Sequence, residues 1–463
     1  MKRLILLFLL FHLTSFSQDS IVNFTFSDFI EIVKANHPIA YQAQLQSEMG
    51  DAKLLKAKGG FDPKINGSAS QKYFDDKQYY SHLHAGLKIP TWFGLSAQAG
   101  YSNNSGERLN PELYTPPNAG LWYAGLTLNL GNGLFIDARR AELGQAEIYQ
   151  NSSRLEQRLI LNQLTLDASI AYWDWFKAYN KYNVYTNALV NSEIRFDAVR
   201  QSAALGDKAD VDTLKALLQV QERSLSLEQT KLDLDNKKAL LEVYLWQDGF
   251  VPLELDSSIS PKPYSIVATS TPPISALMDL DTMAANHPEI VLAQNKIALS
   301  QIDYRLKKEA LKPVAQLKYN ALSSPITDNV LASYSVENYN WGAHISYPIF
   351  TRKERGDLRL TELKLEEQGA QMQNKTAEIT YKIKATYNTW SSSQRQVLIS
   401  TETLKNYTAL FQAELTLFNI GESSLFLVNT RDQAMIDSQV KLIERIYQNH
   451  VSKALFNYQT VNY

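Results

Sequence analysis

No cysteine occurs among the 463 residues, which excludes disulfides, thiolate metal sites, thiol nucleophiles and cysteine-linked lipid anchors. Neither sign of charge is in excess. Lys and Arg number 46 against 48 Asp and Glu, a net charge of −2, where a phosphate-tracking nucleic-acid binder needs a basic patch. Phosphate loops, Gly-x-Gly-x-x-Gly runs and nucleophile elbows are missing. The seven histidines are scattered. His82 and His84 alternate onto one strand face but have no third ligand close by, so polar lining is expected of them rather than metal binding. Acid pairs such as Asp233 and Asp235 sit in helical sequence with no sign of a cleft. No catalytic residue, metal or cofactor is therefore expected.

Long apolar runs are absent too, with one exception. Lys2 and Arg3 precede an apolar stretch from Leu4 to Leu13, followed by Thr14-Ser15-Phe16-Ser17-Gln18. That is the layout of a secretory signal over residues 1–18, cleaved near Ser17. The run falls short of the roughly 20 apolar residues that a membrane span requires. The mature chain is expected to be exported.

What the sequence does contain is a duplication. Ala35-Asn36-His37-Pro38 recurs as Ala285-Asn286-His287-Pro288, and Pro63, after the next helical stretch, recurs as Pro313. The spacing is far beyond the roughly 20–50 residues of a solenoid unit. It divides the mature chain into a first repeat over 19–250 and a second over 274–463. Between them lies a linker, 251–273, with Pro252, Pro261, Pro263, Pro272 and Pro273 and a candidate short strand at Leu253-Glu254-Leu255.

Six segments alternate with period two, within about 63–130 and 313–348. Ile65, Ala69 and Tyr73 oppose Asn66, Ser68, Ser70 and Lys72; Leu83, Ala85, Leu87 and Ile89 oppose His82, His84 and Lys88. Leu95, Ala97, Ala99 and Tyr101 oppose Ser96, Gln98 and Ser102; Trp122, Ala124, Leu126, Leu128 and Leu130 oppose Thr127 and Asn129. In the second repeat, Ala315, Leu317, Tyr319 and Ala321 oppose Gln316, Lys318 and Asn320. Tyr339, Trp341, Ala343, Ile345 and Tyr347 oppose Asn340, His344 and Ser346. One wet and one dry face suits a soluble sandwich as well as a membrane barrel. Segment length of roughly 9–11 residues, aromatics near the ends (Tyr73, Tyr101, Trp122, Tyr123, Tyr339, Trp341, Tyr347) and export point to the barrel. Six strands cannot close one, because lipid tolerates no unpaired sheet edge and closure takes at least about 8. Several copies must contribute. The loops 105–118 and 323–337 would then lie outside the cell.

The strands give way to helical sequence of unusual length, from Gly133 to about Leu205 and from Lys353 to Ile420. At about 1.5 Å per residue the first would exceed roughly 100 Å. Each leads through a glycine turn into a second helix, Ala209 to about Trp246 and Ser424 to about Tyr458. The helix after Gly206 carries two heptad stripes, Val211, Leu218, Leu225, Leu232 and Ala239, and Val220, Leu227, Leu234 and Leu241. They lie on nearly opposite sides, so the helix needs a neighbour on each.

Helix, strands, helical hairpin, linker and the same again resembles the TolC family of outer-membrane efflux and secretion ducts over nearly the whole mature chain. The residues that carry the likeness are the two Asn-His-Pro triplets, Tyr347-Pro348-Ile349-Phe350, and the turns Leu205-Gly206 and Phe418-x-x-Gly421. The resemblance implies an α+β membrane protein with two structural repeats per chain, a homotrimer whose transmembrane β-barrel continues into a long periplasmic α-helical barrel. It implies a place in outer-membrane lipid extending into the periplasm. The implied partners are a periplasmic adaptor (membrane fusion protein) and an inner-membrane pump of RND or ABC type; nucleic acid is not among them. The implied role is the exit duct of a tripartite efflux or type I secretion system. The alternative is an adaptor-like periplasmic structural protein with long helical hairpins.

Carried over by position, Gly206, Asp207, Gly421, Glu422 and Ser423 form adaptor-docking tips, and the periplasmic constriction falls at Asp210, Asp212, Leu425, Leu427 and Thr430, its gate either Asp210 and Asp212 or an apolar ring of Leu425, Phe426 and Leu427. Asp212 falls where the family often places a carboxylate. The matching second-half position is Leu427, and Thr430 stands three residues on, so a second-half aspartate ring is missing. Acids at Asp210 and Asp212 also suit a helix N-terminus. Six strands per chain give 18 staves in a trimer, or 12 if the second and third segments form a hairpin outside the membrane. The resemblance favours 12.

Overall fold

The computed structural model describes residues 22–462 apart from 118, 257, 274–279 and 325–334. The expected signal, 1–18, and most of the expected loop 323–337 lie outside the described residues. In chain order the elements are β1 (Val22–Asn23), α1 (Phe26–Asn36), α2 (Pro38–Lys58), β2 (Lys64–Phe74), β3 (Lys77–Pro90), β4 (Leu95–Ser105), β5 (Leu121–Asn129), α3 (Ala138–Ala204) and α4 (Asp210–Glu242). There follow β6 (Trp246–Gln247), β7 (Val251–Pro252), β8 (Ile259–Ser260), α5 (Leu280–Ala285), α6 (Pro288–Glu309), β9 (Val314–Ser323), β10 (Tyr339–Ser346), α7 (Arg352–Asn419) and α8 (Leu425–Thr460). No helix among the described residues is long and apolar enough to cross a membrane.

Contacts divide the chain into two units that cut across the repeats. One takes the described residues up to Tyr41, Ile160–Leu280 and Tyr381 onward; the other takes Gln42–Leu159 and Asp281–Thr380.

The second unit holds a six-stranded antiparallel sheet in the order β10-β9-β5-β4-β3-β2. Local chemistry sets its turns. Asp75 and Asp76 both take φ 54°, the two-residue geometry that matches strand twist, with Phe74 facing Lys77 across the turn. The turn Thr91–Gly94 closes where the Thr91 amide and hydroxyl both donate to the Leu95 carbonyl (2.9 and 2.7 Å) and Gly94 takes φ 90°.

Register brings the apolar residues onto one face without interruption. Ile65 faces Leu87, Leu87 faces Ala99, Ala99 faces Ala124, Ala124 faces Ala321, and Ala321 faces Tyr339. The opposite face runs Lys64, Lys88, Gln98, Gly125, Asn320, Asn340. A one-residue slip anywhere would scramble both faces. The alternation read from sequence is met along most of the six strands, but a register shift at Lys72/Tyr73 sets Tyr73 opposite Gln78, Leu130 and Tyr347 fall just past their strands, and one aromatic changes face. Tyr123, grouped with the interface aromatics, falls on the polar face, because its neighbour Trp122 faces Tyr101 on the apolar one. Its hydroxyl lies 3.4 Å from His84 Nε2. There is no room there for a side chain at Gly86 or Gly100, where a Cβ would come within 2.6 and 2.5 Å of that hydroxyl.

A second correction concerns strand number. β3 pairs with β2 and β4, and β4 pairs with β5, so the second and third segments do not leave the sheet as a separate hairpin. All six strands form one sheet, and its outer edges, on β2 and β10, have no strand partner among the described residues.

The first unit is helical. Thr25 and Asp28 cap α1 reciprocally. A core of Phe29, Val33, Leu164, Tyr172, Trp173, Trp175, Phe176, Leu241, Val397, Leu442 and Ile446 joins α1 to the four long helices. The Tyr172 hydroxyl donates to the Phe24 carbonyl at 2.8 Å, as a buried phenol must find a partner. The proline-rich linker is bound down along these helices. Asn180 Oδ1 accepts from the Tyr264 amide (2.9 Å), and the Ser270 carbonyl accepts from Trp390 Nε1 (2.7 Å). Its strands are β7 and β8, paired with β6 and β1, not the expected Leu253-Glu254-Leu255.

The duplicated Asn-His-Pro has a physical reason. His37 Nδ1 accepts from the Ile39 amide at 3.1 Å and His287 Nδ1 from the Glu289 amide at 3.2 Å. Each imidazole caps the helix that the following proline opens, where a missing N–H costs nothing.

Candidate functional site

The two hairpin turns are the positions that the sequence singles out, and both lie in the helical unit. They end their helices by the same device. Gly206 and Gly421 each take φ 84°. The Gly206 amide donates to the Ala203 carbonyl (3.0 Å) and the Asp207 amide to Ser202 (2.9 Å); Gly421 donates to Phe418 (3.1 Å) and Glu422 to Leu417 (2.9 Å). Such a left-handed glycine satisfies the last carbonyls of a helix, and a Cβ at either glycine would meet nothing within 4 Å. The glycines are there for backbone conformation, not for space.

The next helices start differently. Ser424 caps α8 through its hydroxyl, which accepts from the Leu427 amide at 3.4 Å. Ala209 has no side chain to cap α4, and Asp210 and Asp212 supply negative charge in the first turn instead. Asp212 Oδ1 lies 3.2 Å from Lys215 Nζ, while Asp210 is exposed.

The remaining positions separate into two groups. Leu425 is buried against Val199, Ala216, Phe196 and Phe418, where it fastens one hairpin end to the other. Lys208 Nζ adds a second tie, 4.6 Å from the centre of the Phe418 ring. Phe426 and Leu427 stay exposed, at 68% and 39%. Thr430 turns its hydroxyl onto the Phe426 carbonyl (2.8 Å). Ser423 donates to Glu414, which also faces Arg431 at 3.7 Å.

Beside these positions is a buried ion cluster that sequence reading missed. Asp432, on α8, is 2.6 Å from Arg195 on α3 and 3.6 Å from Arg223 on α4. Arg223 is 1% exposed and Asp432 2%. Turned toward Arg223, the Gln219 amide oxygen accepts from Nη2 and Nε at 3.0 and 3.2 Å. Three helices are thus joined through one carboxylate. No local pattern marks these residues, because they come from three distant parts of the chain.

Residues 280–454 match the family model for outer membrane efflux proteins. Solved structures with the same fold include the CmeC outer membrane channel of Campylobacter jejuni, at 15% identity and TM-score 0.62, covering 94% of this chain and 85% of that one. The outer membrane protein VceC of Vibrio cholerae aligns at 13% identity and TM-score 0.63, covering 94% and 95%. The open-state MtrE outer membrane channel of Neisseria gonorrhoeae aligns at 11% identity and TM-score 0.65, covering 94% and 88%. No functionally curated protein matches the sequence. The fold is that of TolC-like outer-membrane channels. Residues 280–454 thus resemble outer membrane efflux proteins in sequence, and nearly the whole length shares the fold of these channels.

Proposed function

We propose that the chain is the outer-membrane exit duct of a tripartite efflux or type I secretion system, a passive conduit built from three copies. The observation that carries this reading is the sheet. It has one apolar face, one polar face and, among the described residues, two unpaired edges, and lipid allows such a sheet only if its edges are sealed. Edge β10 of one copy pairs with edge β2 of the next, and three copies close 18 staves around a polar lumen. The helical unit supports the same stoichiometry. Along α4, Leu241 is buried and Val220, Leu227 and Leu234 are half-covered by the chain's own helices. Val211, Leu218, Leu225 and Leu232 remain 54–63% exposed at seven-residue spacing, the seam a second copy would cover.

The tips then face a periplasmic adaptor, which links the duct to an inner-membrane pump of RND or ABC type. Gly206, Asp207, Gly421, Glu422 and Ser423 form the docking turns. Asp210, Asp212, Phe426, Leu427 and Thr430 narrow the lumen, while Leu425 holds the paired turns together from inside. In planar bilayers, Asp210→Ala with Asp212→Ala changes single-channel conductance; unaltered conductance and selectivity would place the gate elsewhere. The duct itself is tested by extraction. Detergent is required, and native mass spectrometry gives three chains. Release by salt alone as a monomer would favour the adaptor-like reading.

A further inference from the structure

The six strands carry five lysines, Lys64, Lys72, Lys77, Lys88 and Lys318, and not one aspartate, glutamate or arginine. In a chain with slightly more acids than bases, that one-sided composition asks for a reason. Register sharpens it. Lys64 and Lys88 stand directly opposite each other on the polar face, and Lys318 lies on the same face, paired with Thr127 and Gly342. Like charges directly across an antiparallel pair destabilise it. None of Lys64, Lys72, Lys88 and Lys318 has a carboxylate within ion-pairing distance among the described residues. Lys72 rests instead 5.0 Å from the centre of the Tyr79 ring.

Much of the rest of that face is amide and hydroxyl, with His82, His84 and His344 and the apolar Val314 and Leu322 among them. Gln98 Nε2 donates to Asn320 Oδ1 at 2.6 Å across Gly125. Gly125 has to be glycine, since a Cβ would come 2.0 Å from the Tyr319 carbonyl and 2.3 Å from Asn320 Oδ1. The row Lys64–Lys88–Gln98–Gly125–Asn320–Asn340 therefore runs the full width of the sheet as cations and amides broken only by Gly125. Acids near the sheet occur only in connections, such as Asp75, Asp76, Glu107, Glu112 and Glu337, and not within the strands.

We propose that the polar face of the sheet is an anion-selective lining, with Lys64, Lys88 and Lys318 as its specificity-determining residues, and that the solutes it favours are anionic. The proposal rests on the duct reading, which puts this face around the lumen. Unpaired lysines in a low-dielectric wall focus a positive potential into the channel and raise the local anion concentration. Closure of three copies triples the charge. An anion passing the Lys64–Lys88 pair relieves its repulsion, whereas a cation adds to it.

The test is the reversal potential of single channels in a potassium chloride gradient. It is run at about 10 mM salt on the dilute side, where unscreened charge acts over about 30 Å. The wild-type channel should pass chloride in preference to potassium. Lys64→Glu with Lys88→Glu and Lys318→Glu should move the reversal potential toward cation preference. The neutral triple with glutamine should fall between, and the differences should shrink in about 1 M salt. Reversal potentials that are the same in all three, from channels that form with similar frequency, would overturn the lining while leaving the duct intact. Failure of the wild-type chain to form channels would overturn both.

Discussion

Two buried polar groups carry consequences that can be measured one residue at a time. His450 stacks on Trp173 with ring centres 3.7 Å apart. Burial, aided by Lys453, pushes its pKa down to about 3. In the unfolded chain the imidazole takes its proton near pH 6.5. The folded state therefore keeps its full advantage above about pH 6.5 and loses it progressively as pH falls toward 3. His37, also lowered by burial against a weaker opposing hydrogen bond with the Val243 backbone, works in the same direction. His450→Phe, which keeps a ring beside Trp173, should flatten the fall of the thermal midpoint between about pH 6.5 and 4. Identical slopes in variant and wild type would remove His450 from the account. Asp432 is the second case. Asp432→Leu leaves Arg223 buried without a counter-charge, a loss of about 3–5 kcal/mol, to be read as a lower unfolding midpoint of the helical signal in detergent. Losing both charges, as in Arg223→Met with Asp432→Leu, should restore part of it.

At the level of elements, the helix ends and the helix faces make separate predictions. Gly206→Ala forces a Cβ into a left-handed conformation and should cost about 1–2 kcal/mol, with Gly421→Ala the same, since neither glycine has a neighbour to clash with. Leu218→Glu with Leu225→Glu places charge on the uncovered stripe of α4. It should shift detergent-solubilised protein from trimer to monomer by native mass spectrometry, with helix content by circular dichroism unchanged. These elements were legible in sequence for a simple reason. Periodicities of 2 and 3.6 are local, so strand faces and helix stripes can be read within ten residues. Glycine and proline mark where they stop. Tyr123 was misplaced because adjacent aromatics at a strand end cannot share a face, and strand parity decides which one turns inward. The two-residue strands of the linker have no period to read. Arg195, Arg223 and Asp432 were invisible because only the packing of three helices brings them together.

For the whole molecule, the sheet sets the argument. Its strand count exceeds what the family resemblance led one to expect, and the extra pair is built into the ladder, with β3 bonded on both sides. Under the proposed three-copy assembly the barrel would be wider than one of 12 staves, because barrel diameter grows with strand number. The native absence of cysteine makes the closure directly measurable. One cysteine replaces Ser68 on β2, combined in turn with Asn340→Cys, His344→Cys or Ser346→Cys on β10, all on the polar face. If edges of neighbouring copies pair, oxidation of at least one combination in membranes gives a covalent trimer on a denaturing gel, reversed by reductant. A crosslinked monomer would mean that the sheet closes on its own chain, and would contradict the shared barrel.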